Sequence, residues 1–469
     1  MKKTVLFALI LIAFFGCKKE KATGQPGKIK NDIQPVTAAL MENAVLYEAN
    51  IRQYSPEGTF NAFTTDIPKL KKMNVKVLWL MPVHEIGIKH RKAKENLPVE
   101  QVTDSLEKAK YLGNPYAVKD YRSLNKDFGT KEDFKKLIKT AHQNGMYVIL
   151  DWVANHAAWD HSWITQHPDF YRHDAKGRMV SPFDWTDVAE LDYSNPNLRK
   201  AMLEEMKYWL TTYNIDGFRC DVAAEVPTDF WNSARAELNK IKPVFLLAEA
   251  EKEELSQKAF DVQYGWEAHY IFNGIAQGKK TVKDWDKYVF KRDSLHLGNA
   301  VRMNFTSNHA ENSWNGTEYE RMGDAVEVFA AMTYMVPGMP LIYNGQEYDS
   351  DKRLKLFEKD TIAHSLSKMF NVYEKLGKLK IENEALNGGK NPGTYKRLAT
   401  SSDDKILAFE RGKNNKKIIF VANLSKENSS FSVTAEGTFT DYMAQQETTL
   451  AQGEILHFKP WEYKIWIVK

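Results

Sequence analysis

The chain has 469 residues, 43% of them hydrophobic and 27% charged, an ordinary globular composition that excludes disorder, collagen and coiled coil. Its 65 basic against 61 acidic residues leave a net charge of +4, too little for a basic nucleic-acid footprint. Two cysteines cannot build a disulfide framework, and neither belongs to a C-x-x-C metal pair.

The chain opens with an export signal. Lys2 and Lys3 form a basic start, Val5 to Phe15 is an apolar run too short to span a bilayer as a mature helix, and Gly16-Cys17 closes it. This looks like a bacterial lipoprotein signal over residues 1–17, with Cys17 carrying the lipid. The polar stretch that follows, with Gly24, Pro26 and Gly27, reads as a flexible tether over 18–40. The expectation is an exported protein held on a bacterial membrane, on the periplasmic side or the cell surface, by its lipid anchor alone. Nothing in the residues specifies an oligomeric state.

Strand-length apolar runs then alternate with helical patterns. Predicted strands are Ala44–Tyr47, Val75–Met81, Tyr147–Trp152, Gly217–Val222, Val244–Ala248, Val301–Phe305 and Pro340–Tyr343, with Ala259–Tyr264 as the candidate for a missing one. Helical periodicity covers Ile67–Met73, Phe134–Asn144, Leu198–Tyr213, Phe230–Lys240 and Asp324–Tyr334. Repeated strand–helix units predict a parallel α/β sheet, and periodicity alone leaves open sheet and closed barrel both standing. Residues 157–195 break the rhythm with Trp159, Trp163, Trp185 and many Asp and His, so they read as a functional insertion. From 389 to 469 the pattern turns to alternating strands without helices, a small all-β terminal domain.

The chemistry signal lies at the strand ends, where parallel α/β folds place their sites. Successive apolar runs end in Asp151, in Arg219-Cys220-Asp221, in Glu249 and in Asn308-His309. Two carboxylates on neighbouring strands suit glycoside hydrolysis, one attacking the anomeric carbon while the other protonates the leaving oxygen, at ~5–5.5 Å in a retaining enzyme. Arg219, two residues before Asp221 on the same strand face, would keep Asp221 ionised. Glu249 follows an apolar run, and partial burial would keep it protonated. Glu251 is the rival acid, further past that run, and Cys220 reads as core packing. No H-E-x-x-H, G-x-S-x-G or G-x-G-x-x-G is present.

The set DWVANH (151–156), GFRCD (217–221), AEA (248–250) and NH (308–309) resembles the α-amylase family, glycoside hydrolase family 13. WLMP (79–82), NPYAVKDY (114–121), ELDYSNP (190–196) and GMPLIYNGQE (338–347) extend the likeness over about 45–348. The resemblance implies a (β/α)₈ TIM barrel over 41–388, a B domain inserted after strand 3 (157–195) and a C-terminal β-sandwich (389–469). It implies an enzyme cleaving α-1,4-glucosidic bonds in starch or maltooligosaccharides, with Asp221 as nucleophile and Glu249 as acid/base. Arg219, Tyr116, His156 and His309 match residues around the sugar, and Asp151 a structural or supporting position.

The family's strand-7 signature is Asn-His-Asp, and this chain carries Ala310 where the third Asp belongs. The neighbouring Glu311 is a poor substitute, since adjacent residues tend to face opposite ways. A non-catalytic glucan-binding lipoprotein, or a transglycosylase or cyclomaltodextrinase-type specificity, therefore stand as alternatives. No cofactor is required and no metal ligand set is assigned. Calcium stays open: Asn155 matches one calcium ligand of the family, but Ala224-Glu225 stand where many calcium-binding members have Lys-His.

Overall fold

A computed structural model of the protein describes residues 33–93, 97–294, 300–365 and 367–468. The expected signal peptide, Cys17 and most of the tether lie outside the described residues. Ile33 and Val36 already pack, partly buried, against the apolar cluster of the barrel interior, so ordered contacts begin within the last stretch assigned to the tether.

Eight parallel strands close a barrel: β1 (Val45–Ala49), β2 (Val75–Leu80), β3 (Tyr147–Trp152), β4 (Gly217–Cys220), β5 (Phe245–Ala248), β6 (Val262–Tyr264), β7 (Val301–Asn304) and β8 (Met339–Tyr343). Each pairs with its neighbours in chain order, and β8 pairs back onto β1. The closed barrel settles the alternative that periodicity left standing, and the short β6 supplies the missing strand.

Alternation along the strands sorts the side chains into two cores. Leu46, Val77, Trp79, Ile149, Leu247 and Met303 fill the barrel interior. Their alternates, such as Tyr47, Leu78, Val148, Phe218, Leu246 and Ile342, pack outward under the helices. Following the interior parity towards the carboxyl ends leads from Ile149 to Asp151, from Leu247 to Glu249 and from Leu46 to Glu48. The strands that hold the reactive groups are thus continuous with the most buried part of the molecule.

The outer helices form for local reasons. Lys131–Gln143 starts at a capping box in which Thr130 and Asp133 satisfy each other's backbone N–H, and it buries Phe134, Leu137, Ile138 and Ala141 on one face. Pro196–Tyr213 is capped by Asn195 with proline in its first turn, and it stops at Asn214, whose φ of 58° is left-handed.

Two long excursions rise from the carboxyl ends. The one after β3 carries a short antiparallel ribbon, His156–Ala158 with Val188–Glu190, within the inserted segment expected there. The other, between β2 and the helix Lys131–Gln143, brings Asn114 and Tyr116 over the barrel mouth. After 389 a six-stranded antiparallel sheet is faced by the ribbon Ser429–Phe431/Leu456–Phe458 around Ile406, Phe431, Phe458 and Trp466. Fully buried Arg411 ties this domain to the barrel by donating to the carbonyls of Met335 and Asn387.

Candidate active site

Arg219 is the hub of the barrel mouth. It is wholly buried at the end of β4, one register step from Asp151 on β3 and from Leu247 on β5. Its Nη1 donates to Asp151 Oδ1 and to Asp221 Oδ1, each at 2.8 Å, and its Nε donates to the Tyr264 hydroxyl at 3.1 Å. Its Nη2 lies 2.9 Å from Glu249 Oε2 but off the donor direction, an ion pair without an aligned hydrogen bond. Trp79 stacks below the guanidinium at 4.9 Å. Asp221 and Glu249 therefore meet on one guanidinium. The arginine expected to support Asp221 also touches Asp151 and Glu249, because the register places Glu249 two residues beyond its partner Leu247.

The backbone after the nucleophile position is strained. Val222 sits at φ 36°, ψ 48°, a left-handed conformation that a β-branched residue rarely adopts. That turn aims the Val222 N–H at Glu249 Oε2, 2.8 Å away.

Four carboxylates, Glu48, Asp151, Asp221 and Glu249, surround this one arginine. Burial pushes all four above the ordinary carboxylate range, and Arg219 pulls each of them back. One positive charge shared by four buried carboxylates favours keeping protons in the cluster. Asp151 and Asp221 take aligned hydrogen bonds from the guanidinium. Glu249 has only the Val222 N–H, and the charge of Asp221 raises it further. Glu249 is the better proton holder and Asp221 the better anion.

The two histidines stay neutral. Burial lowers His156 and His309 to about 4. Tyr116 Oη donates to Asp151 Oδ2 at 2.9 Å and meets His309 Nε2 at 2.9 Å, so it accepts the His309 Nε2–H. His309 Nδ1 then faces Glu48 Oε1 at 2.5 Å as an acceptor, with Glu48 protonated. The Tyr116 ring also stacks on His309 at 5.2 Å. Trp79 Nε1 completes the support of Asp151 at 3.0 Å.

A cavity of about 290 Å³ opens above this floor, lined by Tyr116, His156, Asp221, Glu249 and His309 among others. It lies near the low end of the ~300–1,000 Å³ usual for ligand sites. Those sequence-derived residues converge in it, with Arg219 directly beneath. Ala310 is not part of its lining; it begins a helical turn with φ −72° and ψ −48°. Glu311 points elsewhere: its Oε2 pairs with His269 Nε2 at 3.1 Å and its Oε1 accepts from Asn315 at 3.0 Å. Glu251 is likewise committed, to Arg302 at 3.4 Å and to the Glu267 N–H at 3.0 Å. Cys220 is fully buried.

Glu48, Trp79, Tyr264, Lys92 and Asp187 are the site residues that sequence reasoning missed. Interior parity carried one residue past the first apolar run would have found Glu48. Lys92 and Asp187 sit on the two excursions, 3.6 Å apart, and Asn114 donates to Asp187 at 2.9 Å. Asp187, beside His156, is engaged by the Lys92 ammonium and the Asn114 amide.

Comparison with known proteins agrees with this geometry. The family model for the α-amylase catalytic domain matches residues 27–188 and 183–378, and the maltogenic amylase C-terminal domain matches 397–465. The chain is 22% identical to α-amylase 3 of Dictyoglomus thermophilum, over 93% of its own length and 92% of that protein. It is 25% identical to an α-1,4-glucan:maltose-1-phosphate maltosyltransferase of Picrophilus torridus, over 79% of its own length but only 59% of that relative. The crystal structure of a noncanonic maltogenic α-amylase from Thermotoga neapolitana superposes with a TM-score of 0.79 at 28% identity, covering 91% of this chain and 98% of that one. The chain belongs to the α-amylase family of glycoside hydrolases.

Proposed function

We propose that the protein cleaves α-1,4-glucosidic bonds in starch or maltooligosaccharides with retention of configuration, at a rate lowered by Ala310. The observation that carries this reading is the pairing of Asp221 and Glu249 on one buried arginine at the floor of the cavity. Glu249 gives its proton to the glycosidic oxygen as Asp221 attacks the anomeric carbon, which releases the first product and leaves a glycosyl ester on Asp221. Glu249, now a carboxylate, takes a proton from water, and the resulting hydroxide displaces Asp221 and frees the second product. Neutral His156 and His309 wall the cavity beside the sugar without adding charge, and Tyr116 offers its ring to one sugar face. The relatives support a glucan substrate. The maltosyltransferase among them keeps a second outcome in view, in which a sugar hydroxyl takes the place of water.

The test is reducing-sugar release from soluble starch and maltooligosaccharides, with the Glu249→Gln variant as control. Release that the variant loses supports the reading. Glucan binding with no release by the parent chain would replace it with that of a non-catalytic binder, which the engagement of Glu311 elsewhere would favour. Export and lipidation at Cys17 form part of the same proposal and rest on the N-terminal sequence. Cys17→Ser should move the protein from the membrane to the soluble fraction, and retention on the membrane would refute the anchor.

A further inference from the structure

The end of the barrel opposite the catalytic mouth is basic. Each outer helix of a parallel barrel runs back from the mouth and delivers the chain to the amino end of the next strand. The helix Phe60–Lys72 ends at β2 with Lys71 and Lys72 exposed, and the helix Lys131–Gln143 approaches β3 with Lys139 exposed near its end. Arg235 joins the Val244 and Ala259 carbonyls at the amino end of β5, which places exposed Lys258 there as well. The helix Lys368–Glu382 returns to the same end. A Cβ on its Gly377 would meet the Met73 carbonyl oxygen at 2.1 Å, so exposed Lys378 lies next to the turn that follows Lys71 and Lys72.

The chain enters the barrel on this face. The short helix Leu40–Asn43 leads into β1, its Glu42 carboxylate accepts the Gly389 and Asn391 N–H groups at 3.2 and 2.8 Å, and exposed Lys390 stands between them. Gly388 packs on Gly338, directly before β8. Other acids of this end are engaged: Asp216 by His142 and Lys242, Asp261 by Arg235, and Glu237 by Lys207 and Lys240. Lys71, Lys72, Lys139, Lys258, Lys378 and Lys390 have no ion-pair partner among the described residues. Glu382 is exposed at this end too, which leaves the face net positive.

The segment that leads to this face shares its charge. Fifteen residues, 18–32, separate Cys17 from Ile33, a reach of at most ~50 Å, and they carry five lysines against Glu20 and Asp32. A lysine is drawn to an anionic bilayer within about a Debye length of its surface, ~8–10 Å at physiological salt. An anchor that joins the barrel at its basic end brings that end, and not the mouth, within this range. A layer of acidic headgroups is the partner that charge and point of attachment both select. Resting on the reading of Cys17 as the lipid anchor, we propose that the amino end of the barrel docks on anionic phospholipid headgroups and holds the catalytic mouth away from the bilayer, open to polysaccharide arriving from the water.

The full chain carrying Cys17→Ser tests the face without the lipid. It should sediment with phosphatidylcholine vesicles that contain ~30% phosphatidylglycerol, not with phosphatidylcholine alone. It should come off in 1 M NaCl, where the Debye length is ~3 Å. Replacing Lys71, Lys72, Lys139 and Lys378 by glutamine should weaken vesicle binding by about tenfold or more and leave starch hydrolysis in solution unchanged. Equal binding to both kinds of vesicle, or undiminished binding by the quadruple variant, would overturn the proposal. Orientation is read with the lipidated chain on the same vesicles, by energy transfer to a labelled lipid from a dye on Gln143→Cys or on Leu106→Cys, Cys220 being buried. Transfer should be stronger from position 143, at the amino end, than from 106, on the excursion after β2. Equal transfer or the reverse order would overturn the docking. The anchor is scored apart in cell fractions: Cys17→Ser protein that stays on the membrane through the salt wash refutes the lipid reading, whereas protein released only by the wash supports docking.

Discussion

Replacing Ala310 with aspartate should turn a slow enzyme into a fast one. Ala310 directly follows His309, and its backbone is already helical, so the new side chain meets no conformational penalty. Glu311 cannot answer for the missing group while His269 and Asn315 hold its carboxylate. Loss of one preorganised stabilising group typically costs ~10²–10³ in kcat, about 2.7–4 kcal/mol, and restoring it should recover a gain of that order. The gain should fall on kcat more than on ground-state binding, because the carboxylate acts on the distorted sugar. The extra negative charge near Glu249 should also move the alkaline limb of the pH profile upward. The assay is kcat and KM for parent and Ala310→Asp on one maltooligosaccharide, with the thermal midpoint as a check on folding. Equal turnover in two equally stable proteins would refute the reasoning, since another group would then already fill that role.

Three further outcomes follow from the same structure. Burial and the charge of Asp221 hold Glu249 above the ordinary ~4.3, so kcat/KM should fall on the alkaline side only above that value, and a limb at the ordinary glutamate pKa would contradict its place as acid. Asp216, buried at the amino end of β4, accepts from His142 at 2.7 Å, Lys242 at 2.9 Å and the Val148 N–H at 2.9 Å, and these partners hold its pKa below the ordinary carboxylate value against its burial. A depressed folded pKa stabilises above the unfolded value of ~3.9 and loses that contribution as pH falls through the folded one. Asp216→Asn should therefore cost about 3–5 kcal/mol in urea unfolding at neutral pH, with the difference shrinking in acid and the folded variant still active. Gly217→Ala should abolish soluble expression, because at φ 154° its Cβ would meet the Phe245 carbonyl oxygen at 1.9 Å; a folded, active variant would contradict the strand packing described.

How much of this could be read beforehand depended on the element. β3 and β5 carry unbroken apolar runs that stop at a polar group, so Asp151 and Glu249 stood out against their background. β6 is only three residues long, and a run that short is ambiguous without its neighbours on either side. Glu48 was passed over because the first apolar run appeared to end at Tyr47, whereas β1 continues through Glu48 to Ala49. Trp79 and Tyr264 looked like core and are core, and their polar edges also serve the site. Lys92 and Asp187 could not be matched in advance, since they lie on excursions without periodicity and meet only across the fold. The sharing of Arg219 among three carboxylates is a property of barrel register, which sequence spacing within one strand does not contain.

The anomeric form of the first product tests the central claim most directly. Proton NMR of maltoheptaose during early turnover, before mutarotation, should show the α-anomer appearing first and the β-anomer only later. It should show neither with Asp221→Asn. First appearance of the β-anomer would contradict a glycosyl ester on Asp221, and unchanged product formation by the Asp221→Asn variant would remove Asp221 from the chemistry.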